Sequence, residues 1–376
     1  MFYIKTCLNL IKKSLFIILI TFFLSLIIDF FFGKLILRGL DSFLVKTEFY
    51  GRLMRIDHPV FHHSFKNNVY YKNHRGFEKK NIFCTDNNGF RSECGKKSGK
   101  EFDIGFMGDS FVEGTSENFE DTFVGIFSNK NKNLKIANLG ITSYAPSIYY
   151  SKMKYLLNNG FKFKHIIFFI DVSDLYDDSV FYKLNEDDTI SERDEKEKGL
   201  KRRKFLRTNF PITNYYMFVI KQNSRIKKNI KNNPSPTIKN TPSFNKKAAV
   251  KAEWTYFKQD NHPEYNLGIL ESQKLLIKTM NKTYELLKKN NIQMSVAVYP
   301  WPQQIENDLV NSKHVTMWKE FCIEKCVKFL NFFPFFFEEK NNSSFLEVYK
   351  KYYYWNDIHF NAEGNRIIAE KLLEEF

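Results

Sequence analysis

The stretch FMGDSFVEG, residues 106–114, ends an apolar run with Gly-Asp-Ser and continues into a pattern typical of a helix. Ser110 can either cap that helix or act as a nucleophile held at the end of a strand. Capping has local support, because Glu113 follows three residues later and completes a capping-box pattern. A hydroxyl at this place would also lie at the positive end of the helix, where a developing anion is stabilised. The segment by itself favours the cap, so the rest of the chain has to decide.

Apolar strands alternate with helices from residue 102 to the end of the chain, apart from one interruption. Strands are predicted at residues 102–107, 134–139, 165–172, 294–299 and 329–333. Helices are predicted at residues 119–128, 147–158, 266–290, 316–328 and 362–376, and the third carries Leu276, Met280, Thr283 and Leu287 on one face. This alternation predicts an α/β fold of three layers, α/β/α, with a parallel sheet between the helices.

Residues 14–32, SLFIILITFFLSLIIDFFF, form an apolar run with one charge, Asp29, near its far end. Nineteen residues at about 1.5 Å each span roughly 28 Å, close to the thickness of a hydrocarbon core. Basic residues flank the run on both sides, so the positive-inside rule gives only weak support to a cytoplasmic N-terminus. No small-residue cleavage site follows. We expect an uncleaved single-pass anchor through residues 14–33, with the main domain outside the cytoplasm, periplasmic or at the cell surface.

The predicted organisation has three parts. Residues 1–40 form the cytoplasmic tip and the anchor, residues 41–100 a juxtamembrane segment with short strands, and residues 101–376 the α/β domain with an insertion at about 183–264. The insertion contains a charge run, an amphipathic helix, and a Pro-, Ser- and Asn-rich loop, at residues 185–204, 214–228 and 231–247. A charge run is usually a solvated surface, and no chemistry is assigned to it.

The formal net charge of +15 permits a nucleic-acid partner, but the lysines are spread along the chain and no nucleic-acid-binding motif is present. We therefore expect no nucleic acid. The P-loop, dinucleotide, metalloprotease and nucleophile-elbow motifs are also missing. His58, His62 and His63 fit turn and surface positions better than metal ligation. Neither a metal nor a cofactor is predicted.

The chain has five cysteines. Cys84 and Cys94 flank a predicted turn between two short strands and could pair in an oxidising compartment. Cys322 and Cys326 lie four positions apart on a predicted helix, where they are poorly aimed for a disulfide. Core packing is the prediction for this second pair.

The C-terminal stretch YWNDIHFNAEGNRIIA, residues 354–369, places Asp357 and His359 in a loop just before the last predicted helix. A nucleophilic serine needs a base to take its proton, and the base needs a partner that holds its tautomer. One short loop supplies both groups. Together with Ser110 after a strand, it favours the nucleophile over the cap.

These two segments resemble the SGNH hydrolases, also called GDSL-type esterases, over about residues 102–182 and 265–376. The resemblance implies an SGNH-hydrolase-like fold with Ser110 as nucleophile, His359 as general base and acid, and Asp357 as its orienting partner. It also implies an oxyanion hole made by the backbone N–H groups of Ser110 and of Gly140, in ANLGITSYAP.

Two departures from the family pattern qualify the resemblance. The family usually has an Asn as a further oxyanion donor, and Ser173 stands in its place here. Losing such a donor can raise the barrier by about 2.7–4 kcal/mol. The Asp-x-His spacing is shorter than in many members and is similar to that of membrane-associated alginate O-acetyltransferase relatives. The nearby Asp171, Asp174, Asp177 and Asp178 could suggest a metal site, but surface and helix-cap roles are predicted for them.

The resulting hypothesis is a membrane-anchored serine esterase or acyltransferase that acts through an acyl-enzyme on an ester or acylated-glycan substrate. The resemblance implies O-acetyl groups of extracytoplasmic glycans as the target. Trp301, after a predicted strand on the same edge as Ser110, could stack on a sugar or pack inward, and both alternatives stay open. The alternative function, motivated by Ser173, is a non-catalytic glycan-binding or assembly protein that keeps the fold.

Overall fold

A computed structural model describes the chain at residues 2–44, 54–72, 81–115, 117–193, 205–206, 208–214, 216–217, 220, 246–256, 262, 265 and 267–376. The chain divides into two compact units, residues 1–46 with 194–240, and residues 47–193 with 241–376. The predicted insertion at about 183–264 is thus divided, because its central part groups with the N-terminal helix and its two ends with the sheet.

The strands are β1 Arg55–His58, β2 His62–Phe65, β3 Tyr70–Lys72, β4 Ile82–Cys84, β5 Glu101–Gly108, β6 Ile136–Asn138, β7 Lys162–Ile170, β8 Tyr182–Leu184, β9 Ile190–Glu192, β10 Gln293–Val298 and β11 Lys328–Asn331. The helices are α1 Phe2–Leu44, α2 Ser110–Glu113, α3 Phe123–Lys130, α4 Pro146–Asn158, α5 Asp174–Tyr176, α6 Lys246–Glu253, α7 Ile269–Lys289, α8 Pro302–Asn307, α9 Lys313–Cys322, α10 Phe333–Asn342, α11 Phe345–Tyr352 and α12 Ala362–Glu375.

Five strands form one parallel sheet in the order β6-β5-β7-β10-β11. The chain builds outward from β5 to β6, then returns past β5 to continue through β7, β10 and β11. Right-handed crossovers of opposite direction place their helices on opposite faces of the sheet. Accordingly α3 packs with α12, whereas α4 packs with α7. The predicted three-layer α/β/α fold is confirmed, and the chain reverses direction at β5, the strand that leads to Ser110.

Burial explains why the predicted strands and the long helix form. The C-terminal halves of β5 and β7 are continuously buried, as expected for central strands covered on both faces. Helix α7 buries the predicted face, Leu276, Met280, Thr283 and Leu287, against the rest of the domain. Full burial of one such leucine contributes about 1.5–3 kcal/mol, so a polar substitution on this face would be strongly destabilising.

Several predicted boundaries are wrong. The helix predicted at 119–128 is interrupted at Thr122, whose hydroxyl accepts a hydrogen bond from Gly125 N and caps α3 after a short 3₁₀ turn. Helix α9 ends at Cys322, before the predicted end at residue 328. The structure also has two helices that the sequence did not predict, α10 directly after β11 and α11 directly after α10. The predicted helix at 214–228 lies mostly outside the described residues.

Both cysteine pairs are disulfide-bonded. The Cys84–Cys94 pair is the one that the sequence suggested, across a turn in which Asp86 accepts hydrogen bonds from Asn88 N and Phe90 N. The core-packing prediction for Cys322 and Cys326 is wrong. Because α9 ends at Cys322, Cys326 lies in the following turn, and the Cα atoms are 4.7 Å apart, within disulfide range.

Helix α1 contains one stretch, Lys12–Gly33, that is long and apolar enough to cross a membrane. Most of its apolar side chains are exposed, Phe31 at 70% for example, so the stretch does not behave as the core helix of a folded domain. The stretch thus has the length and the composition of a membrane span.

The disulfides predict a specific thiol count. Alkylation of the unfolded, unreduced protein should add one label, at Cys7, and alkylation after reduction should add five. Intact-mass spectrometry measures both numbers. Three labels before reduction would show that one of the two pairs is open, and peptide mapping would identify which.

Lys152, on α4, is buried among aromatic rings in the α/β domain. Its Nζ donates a hydrogen bond to Leu139 O at 2.8 Å, and burial lowers its pKa to about 7. The neutral amine is therefore favoured by folding, and the charged form is penalised. Since the pKa in the folded state lies below the ordinary value of 10.5, the penalty is largest below pH 7 and fades as the pH rises toward 10.5.

Replacing Lys152 by Met should remove this pH dependence. The free energy of unfolding of Lys152→Met minus that of the wild type should fall by about 2 kcal/mol between pH 7 and pH 9, because the wild type recovers stability as Lys152 deprotonates. Urea unfolding at both pH values measures the difference. Lys154→Met is the matched control, because Lys154 pairs with Asp188 near the surface and has a raised pKa. A difference that is flat with pH for Lys152→Met would contradict the assignment.

Candidate active site

The turn from β5 into α2 is built around glycine and aspartate. A Cβ atom on Gly108 would lie 2.4 Å from Val112 Cγ2 and 2.8 Å from Phe169 O, so only glycine lets the chain turn this tightly. Asp109 is the N-cap of α2, and its Oδ1 accepts a hydrogen bond from Phe111 N at 3.0 Å. The expectation that Ser110 might cap the helix is wrong, since Ser110 is its first residue and its hydroxyl is spared that role.

Glu113 does not close a capping box either. Its buried carboxylate accepts hydrogen bonds from Arg55 Nη2 at 2.8 Å and from Thr142 N at 2.6 Å. Arg55 belongs to β1 and Thr142 to the loop that follows β6. Glu113 therefore joins the β1–β2 hairpin, α2 and this loop, which sequence reasoning missed because the partners are 58 and 29 positions away.

The loop before α12 holds Asp357 and His359 in place through its backbone. Tyr353 and Phe360 form an isolated antiparallel bridge at its two ends. Tyr349 OH interacts with the backbone of Asp357, accepting from its N–H at 2.9 Å. Aromatic residues of α11 and of the loop thus fix a segment that would otherwise be an exposed turn.

The structure brings the three predicted catalytic residues together. His359 Nε2 lies 2.8 Å from Ser110 Oγ, across 249 positions of sequence. His359 Nδ1 makes a short hydrogen bond with Asp357 Oδ1, and the same oxygen accepts from His359 N at 2.9 Å. With Nδ1–H donated to Asp357, Nε2 is the acceptor for the Ser110 hydroxyl. The arrangement can deprotonate Ser110 and stabilise the imidazolium that results.

Beneath Ser110 lies a second acceptor, the buried carboxyl group of Asp109, whose Oδ2 is 3.1 Å from Ser110 Oγ. Burial and the neighbouring carboxylate of Asp171 raise the pKa of Asp109 well above its ordinary value. A protonated Asp109 is a weaker acceptor than a carboxylate, so the hydroxyl of Ser110 is directed to His359.

The acidic residues after β7 are buried, so the predicted surface role is wrong. Asp171 accepts hydrogen bonds from Ser173 N at 2.7 Å and from Trp301 Nε1 at 3.2 Å. Asp174 accepts from Tyr149 OH, Asp177 pairs with Lys251, and Asp178 accepts from Ser147 N at the start of α4. Only this last contact is the predicted helix cap. Each carboxyl group has its own hydrogen-bond or ion-pair partner, and those of Asp174 and Asp178 both lie on α4.

The two other predicted oxyanion donors, Gly140 and Ser173, are not among the residues that line the cleft beside Ser110 and His359. Gly140 N donates to Asn138 Oδ1 at 3.1 Å, and a Cβ atom on Gly140 would lie 2.5 Å from Val112 Cβ. This glycine is needed for the close approach of its loop to α2. Ser173 is buried and donates its own N–H to Asp171. Their oxyanion roles stay predictions.

Trp301 packs inward, which was one of the two open alternatives. It is 2% exposed, with Nε1 bonded to Asp171 and its indole stacked 6.4 Å from the ring of Phe111. Its ring face is not available to a sugar. The tryptophan instead forms part of the wall behind the helix that carries Ser110.

The cleft at Ser110 and His359 is small, about 220 Å³ even with its open mouth counted. It is lined by Ser110, Phe111, Gly114, Thr115, Glu117, His359, Phe360 and Asn365. Glu117 accepts a hydrogen bond from Tyr354 OH. Thr115 Oγ1 is buried and has no hydrogen-bond partner in the part of the chain that the structure describes. The sequence did not single out these polar wall residues, because neither residue belongs to a recognisable motif.

The raised pKa of Asp109 predicts how this position tolerates substitution. Asp109→Asn should leave the free energy of unfolding within about 0.5 kcal/mol, because a neutral amide oxygen can still cap α2. Asp109→Ala should cost about 1–2 kcal/mol, since Phe111 N loses its acceptor. Urea unfolding at pH 7 measures both. A larger loss for Asn than for Ala would mean that the carboxyl group is ionised in the folded protein.

The chain matches no protein-family model and no curated protein. Among solved structures, it is similar to a member of the lipolytic protein G-D-S-L family from Veillonella parvula, with 13% identity over 73% of this chain and 97% of that one, at a TM-score of 0.40. It is also similar to a psychrotrophic esterase from Pseudoalteromonas sp., with 10% identity over 73% and 96% of the two chains, at a TM-score of 0.35. A catalytic mutant of an acetylxylan esterase from Geobacillus stearothermophilus gives 12% identity over 74% and 94%, at a TM-score of 0.33.

Likenesses this distant carry no argument about chemistry. The sheet order, the three layers and the strand that ends in Gly-Asp-Ser are properties of this molecule itself. They agree with what the sequence resemblance implied. The chain has a three-layer α/β/α fold around a five-stranded parallel sheet.

Proposed function

We propose that the protein is a membrane-anchored serine esterase or acyltransferase whose nucleophile is Ser110. The observation that carries the proposal is the 2.8 Å contact between Ser110 Oγ and His359 Nε2, with Asp357 on the other ring nitrogen. A strand-ending serine within reach of an oriented base is the arrangement that nucleophilic catalysis requires.

In the first half of the reaction, Ser110 Oγ attacks the ester carbonyl carbon while His359 Nε2 takes the hydroxyl proton. The new C–O bond gives a tetrahedral oxyanion, which the backbone N–H of Ser110 at the start of α2 is placed to stabilise. When the intermediate collapses, the alcohol leaves with the proton from His359, and the acyl group remains on Ser110. Asp357 stays ionised and supports the imidazolium throughout.

In the second half, His359 deprotonates an acceptor that attacks the acyl-enzyme. Water as acceptor gives an esterase and a sugar hydroxyl gives an acyltransferase, with the same three residues in both cases. Collapse of the second intermediate returns the proton from His359 to Ser110. The geometry of the triad serves either acceptor.

The cleft favours a short acyl group. It is small, about 220 Å³ even with its open mouth counted, which leaves little room for a long acyl chain. Glu117 and Thr115 on its wall suit a substrate that carries hydroxyl groups. We therefore propose acetyl esters of glycans as the substrate class, in agreement with what the sequence resemblance implies.

The anchor and the location belong to the same proposal. The stretch Lys12–Gly33 would hold the protein in a membrane, and residues beyond it would lie outside the cytoplasm. Support comes from the two disulfides, which both lie after this stretch in the sequence, because disulfides persist in oxidising compartments.

The proposed nucleophile is tested by Ser110→Ala. The value of kcat/KM for p-nitrophenyl acetate should fall by about 10³-fold or more, since the acyl-enzyme can no longer form. Ser98→Ala is the matched control, because Ser98 makes its hydrogen bonds through its backbone. A wild-type rate that survives in Ser110→Ala, or a wild-type protein that neither turns over this ester nor is labelled at Ser110 by a phosphonate, would favour the non-catalytic glycan-binding function instead.

A further inference from the structure

Asp29 is the one acidic residue within the apolar stretch of α1, and it is only 2% exposed. Its Oδ1 accepts a hydrogen bond from Ile212 N at 2.9 Å, and its Oδ2 accepts from Thr213 N at 2.7 Å. A polar group within a membrane span is costly unless it is satisfied by a partner. Here both carboxyl oxygens are satisfied by backbone N–H groups from a segment some 180 positions later, in the same compact unit.

The contact between the two segments extends beyond this carboxyl group. A Cβ atom on Gly33 would lie 2.9 Å from Pro211 Cγ, so the glycine lets the two segments approach each other closely. The rings of Phe30 and Phe210 lie 5.8 Å apart. One turn of α1 and one short stretch of the later segment therefore pack as well as bond.

The later segment exposes large apolar side chains. The described residues at 205–206, 208–209, 211–214, 216–217 and 220 are helical. Phe205, Tyr216, Met217 and Ile220 are exposed at 57%, 60%, 47% and 64%. In the sequence, the four basic residues 201–204 precede this segment and Lys221 follows it. Apolar and aromatic residues with basic flanks are typical of chains that lie in a membrane interface.

The position of Asp29 sets the depth of this segment. Asp29 lies four residues before Gly33, where the membrane-spanning stretch ends, which is about 6 Å along a helix. The bonded segment is therefore held near the end of the span, at the level of the lipid headgroups. Apolar side chains of α1 at this level, including Phe31 and Phe32, are also exposed.

We propose that the described residues between positions 205 and 220 form a second membrane element, which lies in the lipid interface where the α1 span ends and is held there by Asp29. The element binds the lipid bilayer at the boundary between headgroups and acyl chains, where the side chains of Tyr216 and Ile220 insert. The proposal rests on the membrane anchor of the proposed function and is independent of the esterase chemistry. It gives a structural role to a part of the insertion for which the sequence predicted only an amphipathic helix at residues 214–228.

Tryptophan quenching in vesicles tests the proposal. The full-length protein is reconstituted in phosphatidylcholine and phosphatidylglycerol vesicles as Tyr216→Trp and, separately, Ile220→Trp, and the wild type supplies the background emission. Lipids brominated along their acyl chains should quench the added tryptophan most strongly when the bromines lie about 5–10 Å below the headgroups. Aqueous iodide should have little effect.

The outcomes separate the proposal from its premise. Failure of the protein to float with the vesicles would remove the anchor itself. A floating protein whose added tryptophan is quenched by iodide and not by bromolipid overturns the second element alone. Protection from both quenchers also overturns it, because a protein surface would then cover the segment.

Asp29→Ala in the Tyr216→Trp background tests the tether. Without the acceptor oxygens, bromolipid quenching should fall by at least twofold. Asp29→Asn keeps one acceptor oxygen and should retain more of the quenching than Asp29→Ala. Quenching that is unchanged in both variants, in protein that still floats, would show that Asp29 does not hold the segment.

Discussion

The hydrogen bond between Ser110 Oγ and His359 Nε2 joins two segments 249 positions apart, and the proposed chemistry depends on it. The parallel sheet makes the contact possible, because the carboxyl ends of its strands meet at one edge and β5 stands beside the point where the chain reverses direction. A hydrogen bond of the Asn365 side chain also connects α12 directly to α3. Its Oδ1 accepts from Phe123 N at 3.1 Å, so the start of α12, just after the His359 loop, is fixed to the start of α3.

Capping and catalysis at the Gly-Asp-Ser stretch are compatible, because neighbouring residues perform them. Asp109 satisfies the first turn of α2, and this leaves the hydroxyl of Ser110 for His359. Gly108 lets the end of β5 lie close to α2 and β7, and Gly140 lets the loop after β6 lie close to α2, where any side chain would clash. The Gly-Asp-Ser stretch therefore serves the packing of α2 as well as the proposed chemistry.

The parts of the structure that sequence periodicity reports were predictable. The strands of the sheet, the buried face of α7 and the loop that carries His359 all follow from local pattern and composition. Local pattern did not predict the burial of the acidic residues or the Cys322–Cys326 disulfide, and it left the inward packing of Trp301 open. Each depends on where an element ends or on what a distant segment contributes, and a single local pattern contains neither.

The burial of acidic groups beneath Ser110 has a chemical consequence. Burial raises the pKa values of Asp109 and Asp174 well above the ordinary range, and the neighbouring Asp171 adds to both effects. If Asp109 were ionised, its carboxylate at 3.1 Å would compete with His359 for the only proton that Ser110 can donate. The raised pKa favours the protonated form, in which Oδ1 can still cap α2 while the proton of Ser110 has one strong acceptor, His359. The buried carboxyl group of Asp109 thus stabilises the helix that carries Ser110 and leaves the hydroxyl proton of Ser110 to His359.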